Sequence, residues 1–392
     1  QVYLLRYPII YGFTEFGKNS SYDRMIAPQY YDILVKEPLK MLKANLEAGG
    51  CGCIPIIHPT FNSAMQFFAF FNEKDGPGLY LMTKDIQGYY KVMITEVMRE
   101  KIQIKFEHFA PIRFNEGYAL PYDVVIRVFK GYAWYDAADI YKEWALKQWW
   151  AKSEYKLINR PTWLSNISLR IHGMSYDESG SRIANYTVLS STSKAIRELF
   201  PYTNVMFTWV GWEKCGAVTC WSDLLPPFEG EASLKRAIDR FHEYGIYVVP
   251  WSGTANHMST KEEVYQKKLF KAHIHDIYGN PVHRGWSKEN MYYALMDIGS
   301  SIWRSFLVNQ TLVLINSLGF DAVYYDSTPL QDSPNYAPTD EHDIGGGDYM
   351  IKGYFKLFST LRDSVKRDVP IITEVKNEFL IPYIHGYTNA VS

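Results

Sequence analysis

From residue 160 onward, short apolar runs alternate with longer amphipathic stretches, and this alternation is what most restricts the fold. Segments 167–171, 205–210, 246–251, 321–325 and 371–373 read as buried strands. Helical periodicity fills 233–244, closed by Gly245, then 301–318, closed by Gly319, and about 350–366, followed by Pro370. Strands of this kind between helices of ten or more residues call for a parallel sheet with helical crossovers. The expected fold class is α/β, a (β/α)8 TIM-type barrel over 161–392. A barrel of eight strands takes ~250 residues. Five strands are placed and a sixth falls near Tyr387, so the barrel is expected to be incomplete in this chain, truncated at the C-terminus or completed by another segment.

Ahead of it the period is different. Runs 65–71, 78–82, 89–95, 102–109 and 123–129 are separated by turn signals such as Lys74-Asp75-Gly76-Pro77 and Asn115-Glu116-Gly117. Short strands at this spacing predict an antiparallel β-sandwich over 1–133. From 134 to 150 apolar residues recur at three and four, which predicts an amphipathic helix inside a linker, 134–160, that ends at Arg160-Pro161.

Lys and Arg total 41 against 42 Asp and Glu, a net charge of -1 that excludes a nucleic-acid footprint. No run of 18 apolar residues occurs, so no membrane span is expected. The 31 Tyr and 11 Trp are mostly core and strand residues, but these are also the side chains that stack on sugar rings. Cys51/Cys53 and Cys215/Cys220 lack zinc-site spacing, so no metal is expected. Cys215 and Cys220 either close a small disulfide or remain buried thiols. Sequons begin at Asn19, Asn166, Asn185 and Asn309, and the sequence opens on Gln1. Together these place the protein outside the cell or on its surface, with a leader removed or a fragment in hand.

In a parallel barrel the carboxyl ends of the strands carry the chemistry. The residues there are Arg170 and His172, Trp209 and Trp212, Trp251 with Asn256 and His257, Asp326, and Glu374. Asp326 ends Ala322-Val323-Tyr324-Tyr325-Asp326, and Glu374 ends Ile371-Ile372-Thr373-Glu374. A carboxylate after an apolar strand is costly to bury unless paired or functional, although a loop-capping Asp does the same. Two on neighbouring strands supply what glycoside cleavage needs, one group to protonate the leaving oxygen and one to attack or stabilise the anomeric carbon. Glu378 is an alternative acid/base, or a first-turn helix residue. Asp297 lines the cleft or caps a helix before Ser300 and Ser301. Glu341 to Asp348 reads as a flexible loop over the pocket with His342 as a sugar contact, while His273, His275 and His283 read as a solvated loop. No Gly-x-Ser-x-Gly or Gly-x-Gly-x-x-Gly pattern occurs, which argues against serine hydrolase and dinucleotide chemistry.

The order of motifs resembles a poorly characterised family of predicted glycoside hydrolases. The motifs are Gly78-Leu79-Tyr80 with Asp85 and Gly88, then Gly131 to Tyr141 with Trp144-Ala145, and Pro227-Phe228-Glu229-Gly230. Gly245-Ile246, Tyr325-Asp326, the 342–347 loop and Thr373-Glu374 with Glu378 complete the series. The resemblance implies a β-sandwich plus barrel, distantly similar to barrel clans acting on α-linked sugars, with Asp326 as nucleophile and Glu374 as acid/base. One departure stands out: α-amylase relatives carry Arg two residues before the nucleophile, where this chain has Tyr324.

The expected function is cleavage of a poly- or oligosaccharide by a carboxylate pair in a retaining mechanism. Trp209, Trp212 and Trp251 would serve as stacking platforms, and Arg170, His172, Asn256, Asp297 and His342 as substrate contacts. No cofactor is required. The alternatives are a non-catalytic carbohydrate-binding or structural surface protein on the same fold, and a lyase or transglycosylase at the same site.

Overall fold

The computed structural model describes residues 2–29, 32–60, 63–113, 115–152, 160–177, 181–215, 220–286, 291–365 and 368–388. The chain divides into two compact units, the first comprising 1–156, 332–352 and 376–382 and the second 157–331, 353–375 and 383–392. The first unit thus takes in two segments that the sequence pattern assigns to the barrel part. Residues 153–159 of the expected linker and the end of the helix expected to reach 366 lie outside the described residues.

The first unit holds two antiparallel sheets. One orders Leu4–Phe13, Lys101–Phe109, Lys91–Met98 and Cys53–His58; the other orders Val124–Phe129, Gly78–Thr83, Phe67–Asn72, Asp23–Ala27 and Ile33–Lys36. Strand Lys101–Phe109 alternates cleanly, and Ile102, Ile104 and Phe106 meet Met25, Phe68, Phe70 and Leu81 of the second sheet in one core. The other face of that second sheet, with Phe67, Ala69, Phe71 and Tyr80, is covered by Ala137 and Tyr141 of helix Trp134–Ala145. Burial on both faces explains the unbroken apolar run Phe-Phe-Ala-Phe-Phe from residue 67 to residue 71. Helix Pro38–Glu47 falls where only strands were expected; its Pro sits in the first turn, where a missing N–H costs nothing.

The Glu341 to Asp348 segment departs from expectation in a similar way. It is part of the first unit, where Ile344–Gly345 pairs antiparallel with Pro111–Ile112. Gly346 donates to Ala110 O at 3.0 Å, and a Cβ there would stand 1.9 Å from the Phe109 carbonyl oxygen. Ordinary backbone pairing therefore replaces the flexible loop, and glycine is required by close approach.

In the second unit, strands Leu169–Met174, Val205–Val210 and Ile246–Pro250 are parallel neighbours, as are Val323–Tyr325, Ile371–Thr373 and Gly386–Tyr387. The two sets join. Asp321 N–H donates to Val248 O at 2.9 Å, Ser252 N–H to Tyr324 O at 3.0 Å, and Thr254 bridges Asp326 in parallel. Six parallel strands in chain order thus form one arc, at the five positions read from the sequence plus the sixth near Tyr387. Helices Tyr186–Leu199, Glu231–Glu243 and Ser301–Leu312 belong to this unit. The first was not apparent from periodicity, and Asn185 caps it by accepting from Val188 N–H at 2.8 Å. An antiparallel insertion, His257–Ser259 with Met291–Leu295 and His283–Trp286, was equally unforeseen.

Because the clash at Gly346 is with backbone, Gly346→Ala must displace the Pro111–Ile112 pairing, at about 1–3 kcal/mol. The expected result is a lower thermal midpoint in differential scanning calorimetry. An unchanged midpoint would show that the pairing bears no load.

Candidate active site

Tyr325 and Thr373 are register partners in the parallel pair Val323–Tyr325 and Ile371–Thr373, so the next residue on each strand, Asp326 and Glu374, emerges side by side. The backbone locks both: Asp326 N–H donates to Gly253 O at 2.8 Å and Glu374 N–H to Tyr325 O at 2.9 Å. The two carboxyls are hydrogen-bonded to each other. Burial, then the Glu374 charge, pushes the Asp326 carboxyl up to about 8, so Asp326 keeps its proton at neutral pH.

Each member has its own donors. Glu374 Oε2 accepts the Ser327 N–H at 2.7 Å and the Ser327 hydroxyl at 3.2 Å. Ser327 is at φ 44°, a left-handed conformation that costs a non-glycine residue on the order of 1 kcal/mol and turns its N–H toward the carboxylate. Asp326 receives the Trp251 indole and, at 3.4 Å, the Tyr324 hydroxyl. Arg170 Nε donates to Thr208 Oγ1 at 3.0 Å, and its guanidinium lies 5.3 Å from the Tyr324 ring centroid. Both carboxylates act on its charge. His172, two residues along the same strand face, is exposed beside it.

The structure thus gathers Asp326, Glu374, Arg170, His172 and Trp251 at one end of the arc. It gives Trp251 a different part from the expected one: only 7% exposed, it is a hydrogen-bond donor to Asp326 rather than an open ring face. Trp209 and Trp212 are fully buried and offer no face to a sugar. Trp209 packs edge-on against Tyr186 and Phe241 and donates to Ser175 Oγ at 3.1 Å, while Trp212 donates to Trp251 O at 3.0 Å. Alternation along the strand explains this: Thr208 faces Arg170, so Phe207 and Trp209 face the helices. Asn256 is buried, accepting from Leu330 N–H at 3.2 Å and from the Tyr354 hydroxyl. Asp297 is a buried turn cap, taking Gly299 N–H at 2.7 Å.

Glu378 and His342 belong to the first unit. Glu378 Oε1 accepts from the Tyr141 hydroxyl at 2.6 Å and Gln66 Nε2 at 3.0 Å, with His58 Nε2 3.7 Å away; beyond His58, Lys91 pairs with Asp85 at 2.7 Å. These partners make Glu378 part of a buried polar network of the first unit. Its place two residues after Lys376, where the chain re-enters the first unit, is invisible to periodicity. His342 stacks flat on Tyr349 at 3.7 Å. His273 is buried rather than solvated, with His283 and His275 rings at 4.8 and 5.9 Å. Both cysteine pairs are bridged. Among the described residues, the one grouping with metal-ligand spacing is Cys215, Cys220 and Glu262; its cysteines are bridged and Glu262 is 2.7 Å from Lys214. No described helix is long and apolar enough to cross a membrane.

Sequence reasoning missed Ser327, Tyr324 as a donor, and Glu213. The last is a buried carboxyl raised by burial to about 7, which accepts Gly211 N–H at 3.0 Å. Their signal was proximity to a strand end, shared by many residues without a role.

A family model described as "Domain of unknown function (DUF6259)" matches residues 118–391. A curated protein of Monosiga brevicollis named "Putative glycoside hydrolase 22789" is 24% identical over 370 residues, covering 86% of this chain and 30% of that protein. Among solved structures, the ligand-free alpha-N-acetylgalactosaminidase NagBb from Bifidobacterium bifidum superposes with a TM-score of 0.67 at 12% identity, over 98% of this chain and 63% of that one. The GH36 alpha-galactosidase AgaA from Geobacillus stearothermophilus gives 0.58 at 12% identity, over 97% and 51%. The chain spans less than two thirds of each, and at these identities the structural likenesses speak to fold.

Burial pushes the Glu378 carboxyl up to about 7, above its ordinary value of 4.5. The stability tied to its neutral form is therefore full below about pH 4.5 and lost as pH rises through about 7. Glu378→Gln should flatten the fall in thermal midpoint between pH 5 and pH 8 relative to wild type. Parallel pH curves for the two proteins would contradict this.

Proposed function

The chain belongs to the DUF6259 domain family, and from that premise we propose that it is a glycoside hydrolase acting through the Asp326–Glu374 pair. The observation that carries this reading is the placement itself: two carboxyls on adjacent strand ends, acting on one another, beside an arginine and an exposed histidine. The name of the Monosiga brevicollis relative and the activities of the barrel-bearing glycosidases with similar folds support it. We read the arc as part of a (β/α)8 barrel and the paired sheets of the first unit as a β-sandwich. The bound sugar is an α-linked galactose or N-acetylgalactosamine in a poly- or oligosaccharide, by analogy with the substrates in the neighbours' names. Exposed asparagines in all four sequons and two disulfides favour an extracellular or cell-surface location.

In the retaining mechanism Asp326 attacks the anomeric carbon as the glycosidic bond breaks, and Glu374 gives its proton to the leaving oxygen. Glu374 then takes a proton from water, whose oxygen displaces Asp326 from the sugar. Carboxyls in contact stand far nearer to the ~5 Å of a retaining pair than to the ~6.5–9.5 Å of an inverting one, and a small rotamer change separates them. A second reading exchanges the roles. Ser327 turns two donors onto Glu374, while burial favours protonated Asp326, the group then placed to act as the acid.

Nitrophenyl α-galactoside, nitrophenyl α-N-acetylgalactosaminide and a reducing-end panel test the activity. Asp326→Asn and Glu374→Gln should each lose about 10²–10⁴-fold in kcat with the fold intact. Full activity in Asp326→Asn sinks the proposal. Trapping with a fluorinated glycosyl donor, followed by peptide mapping, assigns the nucleophile to residue 326 or 374. Activity should decline as pH rises past about 8, where the pair loses its proton.

A further inference from the structure

Tyr324 occupies the strand position two residues before Asp326, so both side chains leave the same face of the sheet. Its ring is 5% exposed and its hydroxyl is 3.4 Å from Asp326 Oδ1. The Arg170 guanidinium lies over the Tyr324 ring, 5.3 Å from its centroid. The guanidinium is itself held from behind by Thr208, whose hydroxyl accepts Nε at 3.0 Å. Thr208 and Arg170 sit in adjacent parallel strands one register step apart, His172 being the partner of Thr208 and Arg170 that of Met206. Three strands of the arc therefore contribute to one line of polar groups that ends on a catalytic carboxyl.

We propose that Tyr324 and Arg170 are positioning residues for the carboxylate pair, forming with Thr208 a belt of polar contacts that fixes the Asp326 rotamer and carries the charge of Arg170 to it through the phenol. The inference rests on the glycosidase reading above and adds two residues to it. A cation held over the face of a phenol draws charge from its hydroxyl, so the Arg170 contact strengthens what Tyr324 gives to Asp326. The planar guanidinium can lie over the Tyr324 ring while its Nε is held by Thr208. The Trp251 indole also acts on this carboxyl. The titratable and charged groups facing Asp326 are Glu374, Tyr324 and Arg170, with His172 beside Arg170. Desolvation by burial, the Glu374 charge and hydrogen bonding by Tyr324 and Trp251 all act on its proton affinity. The belt is the part of that balance a conservative substitution can remove.

The test is a carboxyl ¹³C NMR titration of the whole chain, with Asp326→Asn identifying the resonance. Tyr324→Phe keeps the ring and deletes the donor, and it should move the Asp326 midpoint up by about 0.5–1 pH unit. Arg170→Gln should move it in the same direction, while Arg170→Lys, which keeps the charge, should restore most of the wild-type value. On whichever nitrophenyl glycoside is cleaved, Tyr324→Phe should lower kcat about tenfold with KM within about twofold, one hydrogen bond's worth. A Tyr324→Phe titration curve that coincides with wild type overturns the belt, as does an Arg170→Lys curve no closer to wild type than Arg170→Gln. If Asp326→Asn is inactive while the belt variants titrate like wild type, only the belt fails. If Asp326→Asn is fully active, the glycosidase reading fails instead.

Discussion

Like charges do not share a small space without compensation. Two carboxylates at hydrogen-bonding distance repel by several kcal/mol in a protein interior unless a proton or a cation intervenes. Asp326 and Glu374 are forced into that proximity by strand register, since Tyr325 and Thr373 are paired and nothing separates the residues that follow them. Much of the local architecture answers this one constraint. Asp326 retains its proton, Arg170 faces both carboxyls, Ser327 turns two donors onto Glu374, and Tyr324 and Trp251 turn theirs onto Asp326.

The scaffold makes such an arrangement affordable. The pair sits where strands end, so the helices and the apolar faces of the strands can be optimised for packing without regard to charge. Phe207 and Trp209 illustrate this: they bind the strand to helix Glu231–Glu243 through Phe241, while Thr208 between them serves the polar interior. The first unit solves a related problem differently. There Glu378, Tyr141, Gln66, His58, Lys91 and Asp85 form an internal network in which Lys91 pairs with Asp85 and Glu378 is met by the neutral donors Tyr141 and Gln66.

Parallel strands such as Val205–Val210, Val323–Tyr325 and Ile371–Thr373 announced themselves in the sequence because they are buried runs, and with them Asp326 and Glu374 were legible, whereas Leu169–Met174 and Gly386–Tyr387 are more exposed. Antiparallel strands with regular alternation, such as Lys101–Phe109, were legible for the same kind of reason. What escaped were features that depend on partners far along the chain. Trp209 and Trp212 have the residue type of a sugar platform, but which face of a strand turns inward is set by neighbours that sequence does not name. Glu378 reads as a site residue by its nearness to Glu374, yet its chemistry belongs to His58, Gln66 and Tyr141, more than two hundred residues earlier. Ser327 carried no signal, because its role arises from a backbone angle.

That backbone angle has a consequence for how this site tolerates change. At φ 44°, residue 327 is strained for every side chain except glycine and, to a lesser degree, asparagine and aspartate. Glycine would relax the chain but discard the hydroxyl and loosen the N–H that grips Glu374; aspartate would add another carboxylate; alanine would keep the strain and the N–H but lose the hydroxyl. Serine is thus a compromise between conformational ease and aim. Variation at this position is a dial on the acidity of the pair, one that drift or design could turn without touching either carboxylate.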